Sequence, residues 1–309
     1  MYTNNPRYPA LHQLALRAIS LSMGFIFFAA GWRRFFNAPN KHDITSGAHI
    51  AGKLVDAAPG SPIEGTIHWV LYHPWAAEWS TYIMSTAETL VGIALILGFM
   101  SRLAALGSAL INIALMLIFG WMGHECLDEW TMAALGFAIS VTIMFSGSGS
   151  YSLDAAWGKD PFAKYFTPLA GKITVILSIL FTISFYSYYF GFFHLAKRTS
   201  TGTFSIVTEA MPQQPEQITL YVNGGSSSSN AYIRSITFTL ANGETITQQA
   251  QDIKVTRSHF EPWSHGAGKM TDGVLKLTLG SKVDIVVPDS AHSAVIDLID
   301  AKKDPQIHW

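Results

Sequence analysis

Residues 82–100 read YIMSTAETLVGIALILGFM, nineteen positions with one charged side chain, Glu88. A helix of that length and apolarity matches the roughly 30 Å hydrocarbon core of a bilayer, which takes about 20 residues to cross. Three further runs qualify on the same ground: Leu14 to Trp32, Leu103 to Met122 and Ile173 to Phe193. A shorter one, Trp130 to Phe145, spans if Cys126 to Glu129 sit at the interface. Arg7, Arg17 and Phe28-Ala29-Ala30 give the first run some features of a signal peptide. Its length, and the bulky Trp32-Arg33-Arg34 after it, favour an uncleaved span. The expected fold is therefore an α-helical membrane bundle of about five transmembrane helices.

Composition agrees. Of 309 residues, 49% are apolar and 13% charged, about half the charge of an ordinary soluble domain. Trp32, Trp79, Tyr82, Trp121, Trp130, Tyr186, Tyr188 and Tyr189 gather near the ends of the runs, as interfacial aromatics do. The net charge of −1 carries no basic footprint for nucleic acid. A single cysteine, Cys126, excludes an intramolecular disulfide and any Cys-Cys metal site. Neither a metal nor a flavin is called for, and no nucleotide-binding glycine motif occurs. Eleven histidines leave room for a haem or metal.

From about Thr201 the apolar period changes to two. Ile218–Val222, Tyr232–Leu240, Val274–Leu279, Val283–Val287 and Ala294–Leu298 read as strands, and Ala241-Asn242-Gly243-Glu244 as a hairpin turn. The expectation is a membrane domain over 1–198 and an all-β, sandwich-like domain over 199–309. That domain reads as a lid, a support or a partner-docking module, and its His259, Trp263 and His265 as surface residues. Five spans put the termini on opposite sides. Lysines and arginines divide almost evenly between the two sets of loops, so charge does not orient the chain. The cysteine-free, Ser/Thr-rich tail favours an extracytoplasmic C-terminus.

On that topology three features share the outer face: Arg33 and Arg34 at the end of the first helix, the loop Phe35–Ser80, and the loop Gly123–Glu129. The long loop carries His42, His49, His68 and His73, and Ile67–Tyr72 reads as a short interfacial helix. Cys126, beside His124 and Glu125, has the setting of an activated thiol, against the plainer reading of an inert cysteine in a polar loop. Arg33 and Arg34 can grip an oxyanion through planar forks of donors, or snorkel as anchors. Glu88, two turns into a span, is costly there and so marks a functional site, a proton relay or an ion pair with Arg33 or Arg34. Asp154 and His194 read as interfacial residues.

The first-helix ending Gly31-Trp32-Arg33-Arg34-Phe35, the acid in Ala87-Glu88-Thr89-Leu90-Val91-Gly92, the stretch Gly98–Arg102 and the segment Gly123–Trp130 together resemble the DoxD/DoxX family, with a four-helix DoxX-like core. The tail resembles DoxA, so the chain looks like a fusion of the two. The resemblance implies a thiosulfate:quinone oxidoreductase of the cell (inner) membrane, oxidising thiosulfate to tetrathionate with a membrane quinone as acceptor. It supplies no secure catalytic list. A scheme consistent with the residues has Arg33 and Arg34 binding thiosulfate, Cys126 forming a sulfur adduct with His124 as base, and Glu88 delivering protons to the quinone. Oligomeric state stays open, a homo-oligomer included. The alternatives are quinone-linked oxidation of another sulfur anion or sulfide, and a non-enzymatic scaffold whose β domain binds a partner. A transporter is disfavoured because no internal repeat or broken helix pair is visible.

Overall fold

A computed structural model describes residues 11–119, 128–158, 160–190, 204–211, 216–225, 230–299, 301 and 304–309. Eight helices appear in chain order among them: α1 Leu11–Trp32, α2 Ala51–Ala57, α3 Glu64–Tyr72, α4 Pro74–Leu97, α5 Ser101–Phe119, α6 Asp128–Ser146, α7 Leu153–Ala156 and α8 Pro168–Phe190. Ten strands follow: β1 Ser205–Ala210, β2 Gln217–Gly224, β3 Asn230–Leu240, β4 Thr245–Gln249, β5 Val255–Ser258, β6 Met270–Thr271, β7 Val274–Thr278, β8 Lys282–Val286, β9 Ala291–Leu298 and β10 Gln306–His308. The described residues divide into two compact units, a helical one containing 11–42, 79–119, 128–158 and 160–190, and a second that groups 43–78 with the β strands.

The helical unit is that of an integral membrane protein. Leu11–Asn37, Pro74–Leu97 and Ser101–Phe119 are long and apolar enough to cross a bilayer, and Met132–Ser146 and Pro168–Ser184 are shorter apolar helices. Lipid is as apolar as a leucine side chain, so spans associate through close packing and internal hydrogen bonds. Here α1 and α4 approach through glycines. A Cβ on Gly24 would lie 2.8 Å from the Ile96 nitrogen, and one on Gly92 would lie 2.7 Å from Phe28 Cα. Met23, Phe27, Leu95, Ala105, Ile143 and Met144 fill the core that results. Helix ends leave carbonyls without partners, and half-buried arginines take them up. Arg17 donates to Leu95 O (3.2 Å) and Ile96 O (2.5 Å) at the end of α4. Arg102 donates to Met144 O (2.9 Å) and Phe145 O (2.6 Å) at the end of α6. Asp154, read from sequence as interfacial, instead caps α5: it accepts from the backbone nitrogens of Met100 (2.9 Å) and Ser101 (2.8 Å) and from Ser101 Oγ (2.5 Å).

The second unit is built on two antiparallel sheets, one ordered β1-β2-β8-β5 and one β10-β9-β3-β7-β6 with β4 also paired to β3. In β3 the buried positions are Ala231 and Ile233, then Ile236 and Phe238. A strict period of two would have kept one parity. The register slips between Ile233 and Ser235, and such a bulge turns the following residues to the same buried face.

Residues 43–78 cover this domain with their own buried face. Ala51, Val55, Ala57 and Ala58 are fully buried. Trp263, expected at the surface, is 3% exposed, and its Nε1 donates to Ile44 O at 3.0 Å. His259 is half-buried: its Nε2 meets both Asp284 oxygens, at 3.0 and 2.9 Å. The expected helix over 67–72 forms as part of α3, but Ile67 and Leu71 are buried within the unit, His68 stacks on Phe260, and Tyr221 Oη donates to Glu64 at 2.5 Å. These partners lie more than 150 residues away in sequence, beyond the reach of local pattern.

Gly280 fixes the docking of α2. Its φ of +76° is left-handed, and a Cβ there would overlap the carbonyl oxygen of Val55. Gly243 has φ +84° but open space around it. Gly243→Ala is therefore expected to cost about 1–2 kcal/mol from backbone strain alone. Gly280→Ala should cost about 2–4 kcal/mol, because overpacking adds to strain. Thermal unfolding of the full chain, with the rate of protease cleavage within 43–78, checks the difference.

A second contact of α2 is titratable. His265 Nε2 lies 3.5 Å from Asp56 Oδ2, and that hydrogen bond raises the imidazole above its ordinary value despite opposition from burial and Lys53. A raised folded-state value means stability that is full below the unfolded histidine range and lost as pH rises through the folded one. His68 works the other way, since burial and then Lys282 lower it. Protease cleavage within 43–78 is thus expected to rise from pH 6 to pH 8 in wild type more than in His265→Gln. An identical pH response in both would remove His265 as its source.

Candidate functional site

Glu88 lies one helical turn beyond Ser85 on α4. Opposite it, α1 approaches closely enough that a Cβ on Gly31 would sit 2.7 Å from Ser85 O and overlap the Thr89 hydroxyl. Any larger residue at 31 would push the helices apart. That approach delivers Arg34 to Glu88. Arg34 Nη1 is bonded to Glu88 Oε2, and Nη2 donates to Oε1 at 3.3 Å, a bidentate pair with side chains 11% and 4% exposed. Of the two partners sequence allowed for Glu88, the structure brings Arg34; Arg33, one residue earlier, is exposed.

The backbone changes at the same step. Beyond Trp32 the helix widens into a π turn over Arg33–Asn37, closed by Ala38 N to Arg33 O at 2.8 Å. Such turns are rare and recur at functional sites. His42 braces it: Nδ1 lies 3.2 Å from Arg34 O, Nε2 lies 3.0 Å from Ser85 Oγ, and the ring stacks between Phe35 and Tyr82. Burial holds His42 below the ordinary histidine value. A neutral ring must then donate from Nδ1 to the carbonyl and accept from Ser85 at Nε2. Sequence reading placed His42 among four loop histidines and gave no reason to single it out. Its signal was only its nearness to the arginine pair.

The ion pair forms one wall of a cavity of about 450 Å³ among α1, α4, α5 and α6, whose other walls include Met23, Phe27, Phe119 and Ile139. Among the described residues one further polar side chain lines it, Asn112 of α5, 4% exposed. Asn112 was also missed from sequence. It sits in an apolar run and has the size of its neighbours. The hint lay in Ser108 one turn before it, since Asn112 Nδ2 donates to Ser108 O at 2.9 Å.

A paired arginine and acid within the helical unit thus border an apolar cavity. A protein-family model described as DoxD, TQO small subunit, matches residues 15–182, more than half of the chain. The chain belongs to the DoxD family. No solved structure matches it. The matched residues carry the whole Arg34–Glu88–Asn112 cavity, so the site is a feature of the DoxD region. The all-β domain that follows is consistent with a DoxA-like fusion. Cys126 and His124 also fall in the matched range, but lie outside the described residues.

Proposed function

We propose that this DoxD protein is a thiosulfate:quinone oxidoreductase of the cell (inner) membrane, with its β domain extracytoplasmic. The Arg34–Glu88 pair on the wall of an apolar intramembrane cavity carries the reading. A membrane anchor or scaffold gains nothing from a carboxylate within a span, where an unpaired charge is expensive. A quinone reductase has a use for one, because each quinone takes up two protons with its two electrons.

The arginines then divide the work. Both donor edges of Arg34 that face Glu88 are engaged by it, so Arg34 holds the carboxylate and orients it. Exposed Arg33 meets the sulfonate oxygens of thiosulfate from water. Cys126 as thiolate joins the outer sulfur of thiosulfate, releasing two electrons to the quinone, and His124 takes the thiol proton. A second thiosulfate attacks the adduct at the sulfur bonded to the sulfonate, forming tetrathionate and returning the thiolate. The sum is two thiosulfates and one quinone, with two protons, giving one tetrathionate and one quinol.

The test is absorbance of a short-chain quinone with the purified full chain in detergent and native lipid, with thiosulfate, sulfite and sulfide as parallel donors. Reduction with thiosulfate, with tetrathionate as product, is expected. Reduction by sulfide or sulfite alone would keep a quinone reductase and change its donor. No reduction by any donor would return the protein to the scaffold reading.

A further inference from the structure

The cavity that Arg34 and Glu88 wall has a mouth. Ile26, Met132 and Leu135 line it and are also 62%, 71% and 61% exposed. On a membrane bundle such residues face lipid, so the cavity opens sideways into the hydrocarbon. A water-soluble anion has no route through that opening, whereas a ligand dissolved in the bilayer does. The occupant must also match the polar groups inside: a guanidinium–carboxylate pair contributed by the π turn after α1 and by α4, and one amide contributed by α5, in walls that among the described residues are otherwise apolar.

The amide is placed with care. A Cβ on Gly136 of α6 would overlap Asn112 Oδ1 and come within 2.9 Å of its Cγ. Only glycine at 136 leaves Asn112 its space. One turn further on, Ser108 and Ser140 bond α5 to α6 at 2.6 Å, and Ser140 donates back to Gly136 O at 2.6 Å. Among the described residues the Asn112 side chain makes a single hydrogen bond, from Nδ2 to Ser108 O. One amide proton and Oδ1 remain for a ligand. An amide kept in an apolar cavity with most of its capacity uncommitted carries a desolvation cost that a ligand would recover.

We propose that this cavity is the site of the lipid-soluble quinone, with Asn112 as its second polar anchor: the amide proton of Asn112 bonds one quinone carbonyl, and the Arg34–Glu88 pair serves the other. A lipid acyl chain would fill the volume but use none of these groups. The inference rests on the quinone-reductase reading only for turnover, since binding can be measured without it. Glu88 takes up a proton from water and passes it to the carbonyl it faces; Asn112 moves no proton and fixes the ring between the two walls.

The experiment uses the full-length protein in detergent with native lipid and a tritiated short-chain quinone. Wild type is expected to bind it saturably. Asn112→Leu, close in volume but without the amide, should bind about tenfold more weakly, the scale of one lost hydrogen bond in an apolar site. Gly136→Ala keeps the amide and crowds it, and should weaken binding in the same direction, which covers the case in which Asn112→Leu does not fold. In turnover both variants should raise KM for quinone and leave KM for thiosulfate unchanged. Equal quinone affinity in wild type and in the folded variants would overturn the role of Asn112. No saturable binding to wild type would overturn the site. Binding that weakens in the variants, with no reduction by thiosulfate, would sink the proposed reaction and leave the site standing.

Discussion

Glu88→Ala is expected to abolish thiosulfate-dependent quinone reduction and to lower the stability of the helical unit together. Removing one partner of a buried ion pair strands the other, at a cost of about 3–5 kcal/mol. The stranded group would be Arg34, 11% exposed at the junction of α1 and α4. Loss of activity alone would therefore say nothing about chemistry. The double variant Arg34→Met with Glu88→Leu separates the two effects. Replacing a buried pair with apolar side chains of similar volume is often neutral or stabilising, so the double variant should melt near wild type. It should still fail to reduce quinone, by at least about a hundredfold, the range in which a positioned proton donor contributes. A double variant that is both stable and active would reduce the pair to a structural clasp. Glu88→Gln makes a third point, since it keeps the shape but can neither ionise nor deliver a proton.

The same pair shows what sequence could and could not tell. An acid in YIMSTAETLVGIALILGFM and two arginines after an apolar run are anomalies against the bilayer, and anomalies are legible. Which arginine meets the acid is not, because that depends on how closely Gly31 lets α1 approach α4. Asn112 is a weaker anomaly, a neutral amide among aliphatic residues, and its meaning depends on Gly136 in the next helix. The five apolar helices and five of the ten strands followed from period and length, which are local. Trp263 and His259 were misjudged because their setting, rich in Pro, Gly and Ser, has the composition of a surface loop. Trp263 is buried through Ile44, 219 residues away. The fate of residues 43–78 turned on the same kind of contact, made visible only once Val55 meets Gly280.

Cys126→Ala is expected to eliminate tetrathionate formation, and the reason lies in how sulfur gives up electrons. Two thiosulfates repel each other as dianions, and joining them directly would require both to reach the oxidant at once. A protein thiolate divides the problem. It captures one sulfur as a covalent adduct while two electrons leave for the quinone, and the second thiosulfate meets a fixed electrophilic sulfur with a thiolate as leaving group. Without Sγ no adduct forms, so turnover should fall to background. Cys126→Ser should fare no better, since a hydroxyl at this pH is neither a comparable nucleophile nor a comparable leaving group. Quinone binding should be unchanged in both variants, because the cavity draws on Arg34, Glu88 and Asn112. Mass spectrometry of wild type given one equivalent of thiosulfate with excess quinone should find Cys126 heavier by one S–SO₃ group. Near-normal turnover in a folded Cys126→Ala would discard the covalent step and leave electron transfer from thiosulfate held by Arg33 alone.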